Sequence, residues 1–261
     1  MFRRYEPGRG HPWQPAVRAV IMGLVAVALA GGCTNTPERK ANLREAARIN
    51  VSLGAGYMSQ GNLELASEKL LKALRQAPDL AEAHWTFALL QMRLKNYEAA
   101  EHHFKRALEL DPDDPRAHNN YGIFLCDRGR HRAAVEQFLR AAKDPLYDGI
   151  AAAYTNAGVC AEKIPDPTAA ERYYLAAVEH DPKFGQALLR LVALYLRQGR
   201  IAEAEKTMNR YEAVARPTAQ SLLLGYRLAK ARGDLPAARR YGGILIKRFP
   251  DSPQAQEVLQ R

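Results

Sequence analysis

The chain has 261 residues, 47% of them hydrophobic and 25% charged, with a net charge of +10 at pH 7. That balance is ordinary for a folded protein, ample for a continuous core, and excludes a disordered or fibrous chain. The Lys and Arg residues are scattered among Glu and Asp with no basic stripe carrying stacking aromatics, so no nucleic-acid partner is expected.

Met1 to Cys33 stands apart from the rest of the chain. Arg3, Arg4, Arg9 and Arg18 make a positive opening, and Ala19 to Ala30 is an uncharged, mostly apolar run. This is the pattern of a secretory signal over residues 1–32, too short for a spanning helix. Cys33 follows Gly31 and Gly32 and resembles the lipobox cysteine of bacterial lipoproteins, although the expected Leu sits one place early, at Leu29. The likeness implies cleavage before Cys33, a diacylglycerol on its sulfur and an acyl chain on its freed amine. Thr34 after the cysteine, rather than Asp, implies sorting to the outer membrane. Several acyl chains would hold the protein firmly, where one chain is marginal. Cleavage by an ordinary signal peptidase is the alternative. Removing residues 1–32 takes four Arg and one Glu and leaves +7. Residues 33–46 read as a lipidated N-terminus and short polar tether.

From Ala47 the chain repeats. Leu53, Tyr57, Leu63, Ala66, Leu70 and Ala73 fall at helical spacing, split by Gln60-Gly61-Asn62 and closed by Pro78. The same marks return in windows starting at 47, 81, 115, 151, 185 and 219, every step 34 residues except the third, which is 36. A small residue on each first helix (Gly54, Ala88, Gly122, Gly158) faces a bulky one on the second (Leu70, Phe104, Phe138, Tyr174, Met208). Val192 and Tyr226 depart from the small position, and the last unit has Gly242 at the bulky one. Such a period predicts an all-α, right-handed superhelical solenoid of six tetratricopeptide (TPR) hairpins over 47–250, with a capping segment over 251–261. Lys143 to Ile150 holds the two extra residues of the long step, an insertion that maps to an edge loop.

No nucleophile elbow, phosphate loop, dinucleotide fingerprint or zinc-ligand spacing is present, so no catalytic residue, metal, cofactor or small-molecule substrate is expected. His84 and His118 share a repeat position and read as interhelical, and Asp113-Asp114 reads as helix-cap chemistry. Cys126 and Cys160 lie on successive first helices, and two separate buried thiols are expected. Pairing in an oxidising compartment is the alternative. The groove positions of the first three units give Val51, Ala55 and Met58, then Trp85, Leu89 and Met92, then Asn119, Ile123 and Cys126. This mainly apolar strip, rimmed by Arg48, Glu82, Arg93, Arg116 and Asp127, suits an amphipathic helix or apolar peptide. Core packing is the rival role for these residues. Arg197, Arg227 and Lys230 make the later units more basic and fit an acidic segment.

The lipobox-like Cys33, the tether and the six repeats together resemble the type IV pilus biogenesis/stability lipoprotein family, the TPR pilotins. The likeness covers essentially the whole mature chain. It rests on Asn119–Arg130 (NNYGIFLCDRGR), the following DPLYDGIAAAYTNAGVC, and Ser221–Asp234 (SLLLGYRLAKARGD). It implies a non-catalytic outer-membrane lipoprotein facing the periplasm that helps secretin subunits reach the outer membrane and form their multimeric pore. Cys33 would carry the lipid and the repeats would hold the secretin. A periplasmic TPR lipoprotein scaffold for outer-membrane protein assembly or cell-wall enzymes is the alternative, and a soluble adaptor is a third reading if Cys33 stays free.

Overall fold

The computed structural model describes residues 36–166 and 168–260, so the signal segment and Cys33 lie outside the described residues. The described chain is thirteen helices. They pair as hairpins: α1 (Pro37–Ser59) with α2 (Leu63–Gln76), α3 (Ala81–Arg93) with α4 (Tyr97–Leu110), and α5 (Pro115–Asp127) with α6 (His131–Ala141). Then come α7 (Ile150–Ala161) with α8 (Ala169–His180), α9 (Gly185–Arg197) with α10 (Ile201–Val214), and α11 (Ala219–Ala231) with α12 (Leu235–Arg248). A short α13 (Pro253–Leu259) closes the array.

Each first helix also touches the first helix of the next unit, whereas among the described residues no second helix touches the next second helix. The first helices thus form one continuous layer, and each second helix is tied to the next unit through that unit's first helix.

Five of the hairpin turns use a left-handed residue, a conformation glycine takes without strain. Gly61, Gly129, Gly199 and Gly233 have positive φ there, and Lys95 takes the same conformation in the second unit. Helix starts are capped by side chains: Asn62 accepts from the Leu65 amide, Asp234 from Ala237, and Thr218 with Ser221 forms a capping box.

Packing within a hairpin follows the small-against-large rule. A Cβ on Gly54 would lie 2.6 Å from Leu70, and one on Gly122 would lie 2.7 Å from Phe138. In the last unit the pair moves by one residue. The ring of Tyr241 covers Gly225, while at the register positions the large Tyr226 lies on the first helix and Gly242 on the second. That shift explains the glycine at the expected bulky position. The second-helix alanines Ala66, Ala100, Ala134, Ala170, Ala204 and Ala238 are all buried, as the period requires. The inter-unit stretch 142–149 is longer than the others, and Leu146 stands 91% exposed on it.

Three expectations change. Residues 37–46 are not a free tether but the first turns of α1, where Lys40 and Arg44 reach Asp79 at 3.6 and 3.1 Å. Leu53, placed by its spacing on the apolar face of α1, is exposed, because α2 and α3 cover the opposite side. Cys126 and Cys160 are not separate thiols: they form a disulfide between α5 and α7, with Cα atoms 5.9 Å apart. The two extra residues of this step put Cys126 at the twelfth place of its unit and Cys160 at the tenth of the next, and the packing of α7 on α5 and α6 brings their Cα atoms within bonding range.

Candidate protein-binding site on the first-helix face

Trp85, on α3, lines a cavity of about 450 Å³ between the first, second and third units. Its half-buried indole is fixed by donating Nε1–H to Asp114 Oδ2 at 3.0 Å. Asp114 is also the cap of α5, accepting from the Arg116 and Ala117 amides through its other oxygen. One carboxylate thus joins a helix start to the indole of the preceding unit. Arg48, Glu82 and Arg116, expected as the rim, line the same cavity.

The cavity is more charged than the repeat pattern suggests. Asp79, Asp111, Asp113 and Asp144 join Glu82 and Asp114 there, against Arg44, Arg48 and Arg116. Burial opposes the charge on Asp79, but Arg44 and Lys40 outweigh it and hold that carboxyl below its ordinary range. The extra carboxylates come from the turns that close each unit (79, 111, 113) and from the inserted loop (144). The Pro-Asp pairs at 78–79 and 112–113 were the available signal.

The remaining groove candidates divide in two. Leu89, Met92 and Ile123 are partly buried, pack against the main core and keep some free surface, as does the disulfide-bonded Cys126. Asn119 is half-buried and accepts from Asn156 at 3.2 Å. Ala55 is exposed. Val51 and Met58 are 3% and 5% exposed, so they belong to the core rather than the groove. The reason is stacking: Leu80, at the end of the first unit, and Ala83, Phe87 and Leu90 of the second cover them. Arg93 closes over this corner by donating to the Met58 carbonyl.

Two of the three basic residues expected in the later groove are ion-paired. Arg197 pairs with Glu162 at 2.7 Å and Arg227 with Glu257 at 2.6 Å. His84 and His118 each meet the carbonyl of the proline that closes the preceding unit, Pro78 and Pro112, at 3.0 and 2.8 Å. They fasten one unit to the next. His131 Nδ1 lies 3.4 Å from Cys160 Sγ, but both sulfurs of this cluster are spent in the disulfide, which leaves the cluster with a single imidazole donor toward a metal.

Family models named tetratricopeptide repeat match residues 86–149 and 166–225. The type IV pilus assembly protein PilF of Pseudomonas aeruginosa is 31% identical over 245 residues, covering 92% of this chain and 97% of that protein. The solved structure of P. aeruginosa PilF superposes with a TM-score of 0.73 at 29% identity, covering 84% of this chain and 99% of that one. The crystal structure of PilW, a type IV pilus biogenesis factor, gives 0.72 at 31% identity, with 82% and 98% covered. A peptide-binding TPR protein, YrrB, shares the fold alone, at TM-score 0.54 and 19% identity. The chain therefore belongs to the PilF/PilW family of tetratricopeptide type IV pilus assembly proteins.

Proposed function

We propose that this protein is an outer-membrane pilotin: a lipoprotein, anchored through Cys33 and facing the periplasm, that binds the type IV pilus secretin subunit and assists its localisation and multimerisation without catalysis. The observation that carries the reading is the end-to-end match to a type IV pilus assembly protein, 97% of whose length is covered. The lipobox-like Cys33 supports the anchor.

The mechanism is physical. Acyl chains supply membrane affinity and the first-helix face supplies partner affinity. Joining them in one chain makes secretin delivery an intramolecular problem of reach. Trp85 is the anchor of the binding face, pinned by Asp114, with Leu89, Met92 and Ile123 as the apolar floor. Mixed charges around Trp85 select a segment that is apolar on one side and polar on the other.

The test titrates purified secretin subunit against the full chain and against Trp85→Ala and Ile123→Ala. A buried aromatic anchor costs about 2 kcal/mol or more on truncation, so Trp85→Ala is expected to weaken binding by about 30-fold or more. Unchanged affinity in both variants would remove this face from the account.

A further inference from the structure

A TPR array grows because the first helix of each unit lies along both helices of the unit before it. At the C-terminal end that slot holds α13, which has 7 residues where α3, α5, α9 and α11 have 13. Ala255 and Val258 of α13 seat against the cluster of Leu222, Leu245 and Phe249. The half of the slot near the α11–α12 turn is left open, as a groove of about 360 Å³. The shortfall of six residues corresponds to roughly 9 Å of helix.

The groove is apolar within and basic at its edge. Tyr226 and Ile246 line it, Leu235 on its border is 58% exposed, and Gly243 leaves its floor without a side chain. Lys230 and Arg239 line it from opposite helices, and among the described residues no carboxylate does. The neighbouring Arg227 and Arg232 are paired with Glu257 and Glu205, but Lys230 and Arg239 have no carboxylate partner among the described residues. Residues 219–261 carry eight Lys and Arg against three Asp and Glu, which is half of the net charge of the whole chain.

We propose that this groove is a second docking site, for an acidic amphipathic helix of a partner protein. Its apolar face would continue the stack beyond α13, and its carboxylates would meet Lys230 and Arg239. The charge balance selects the occupant: a basic or neutral helix would bury an apolar face equally well but leave two cations facing it unpaired.

The probe is a fluorescein-labelled 14-residue helical peptide with Leu at i, i+3, i+4 and i+7 spacing and Glu elsewhere. A second copy carries Lys in place of Glu. Anisotropy is measured with the full chain and with two variants. Gly243→Leu fills the groove from a helical position where a Cβ meets nothing within 4 Å, so the fold is kept. The double variant Lys230→Glu, Arg239→Glu reverses the edge charge. The expected result is salt-sensitive binding of the Glu peptide, at least tenfold weaker binding of the Lys peptide, and a tenfold or greater loss in each variant with unchanged circular dichroism. Equal binding of both peptides, or full binding by Gly243→Leu, overturns the proposal. Self-association of the chain that Gly243→Leu abolishes also overturns it, because a second copy would then be the occupant.

Discussion

Acidification to pH 4.5 is expected to loosen the second unit through one pair of imidazoles. His84 Nε2 meets the Pro78 carbonyl, so its proton sits there and Nδ1 is left as acceptor for His103 Nδ1–H, 3.0 Å away. The His103 ring packs on His84, Phe87 and His102. Burial, with repulsion from His84 and His102, pushes its pKa down to about 4, and burial also lowers that of His84. A proton added at His84 Nδ1 would set two N–H donors face to face, and one added at His103 Nε2 would place a charge in this half-buried ring cluster. A histidine whose folded pKa is depressed contributes stability that is complete above its unfolded value of about 6.5 and is lost as pH falls toward about 4. At pH 4.5 the full gap is worth about 2.5 kcal/mol, and partial exposure of the ring trims this to roughly 1–2.5 kcal/mol. Carboxylates act later: Arg130 and Lys105 hold Glu101 at about 2, so its contribution fades only below about pH 4.5. The assay is urea unfolding followed by circular dichroism between pH 7.5 and 4.5. The variant is His103→Gln, which copies the third unit, where Gln137 sits 2.7 Å from His118 Nδ1. The variant is expected to lose about half or more of the acid sensitivity. An identical pH profile in both proteins would refute the reasoning.

Gly122→Ala places a methyl group 2.7 Å from the fully buried Phe138 ring and is expected to destabilise by about 1–3 kcal/mol, less a helix-propensity gain of up to ~1 kcal/mol. Gly56→Ala, where nothing lies within 4 Å, is expected to stabilise by up to ~1 kcal/mol, both variants being read by urea unfolding. Reducing the Cys126–Cys160 bond opens a 34-residue loop and is expected to cost about 3–4 kcal/mol, read as the shift in urea unfolding with and without a thiol reductant.

The solenoid was legible because its determinants are local and repeated. A turn glycine, an alanine on the second helix and a large residue four later recur at fixed offsets in most units, so the pattern survives single departures such as Lys95 and Gly242. Determinants that arise between units were less legible. Val51 and Met58 occupy nominal groove positions, yet the second unit covers them. The Trp85–Asp114 bond links residues 29 apart that no single-unit pattern relates. The exchange of Gly225–Tyr241 for the usual pair breaks the register by one, which a fixed window reads as a weak match. The disulfide needed a distance between two helix faces, and spacing alone left two readings open. The helical start at Pro37 was hidden by a charged stretch whose Arg44 and Lys40 find their partner, Asp79, only in the turn after α2.

The most direct test of the pilotin account is made in the native host. The gene is deleted, the envelope fractionated, and the secretin run on an unheated denaturing gel. The account predicts loss of the heat-labile secretin multimer and monomers stranded in the inner membrane, restored by the wild-type gene and poorly by Cys33→Ser. A normal secretin multimer in the outer membrane of the deletion strain would contradict it.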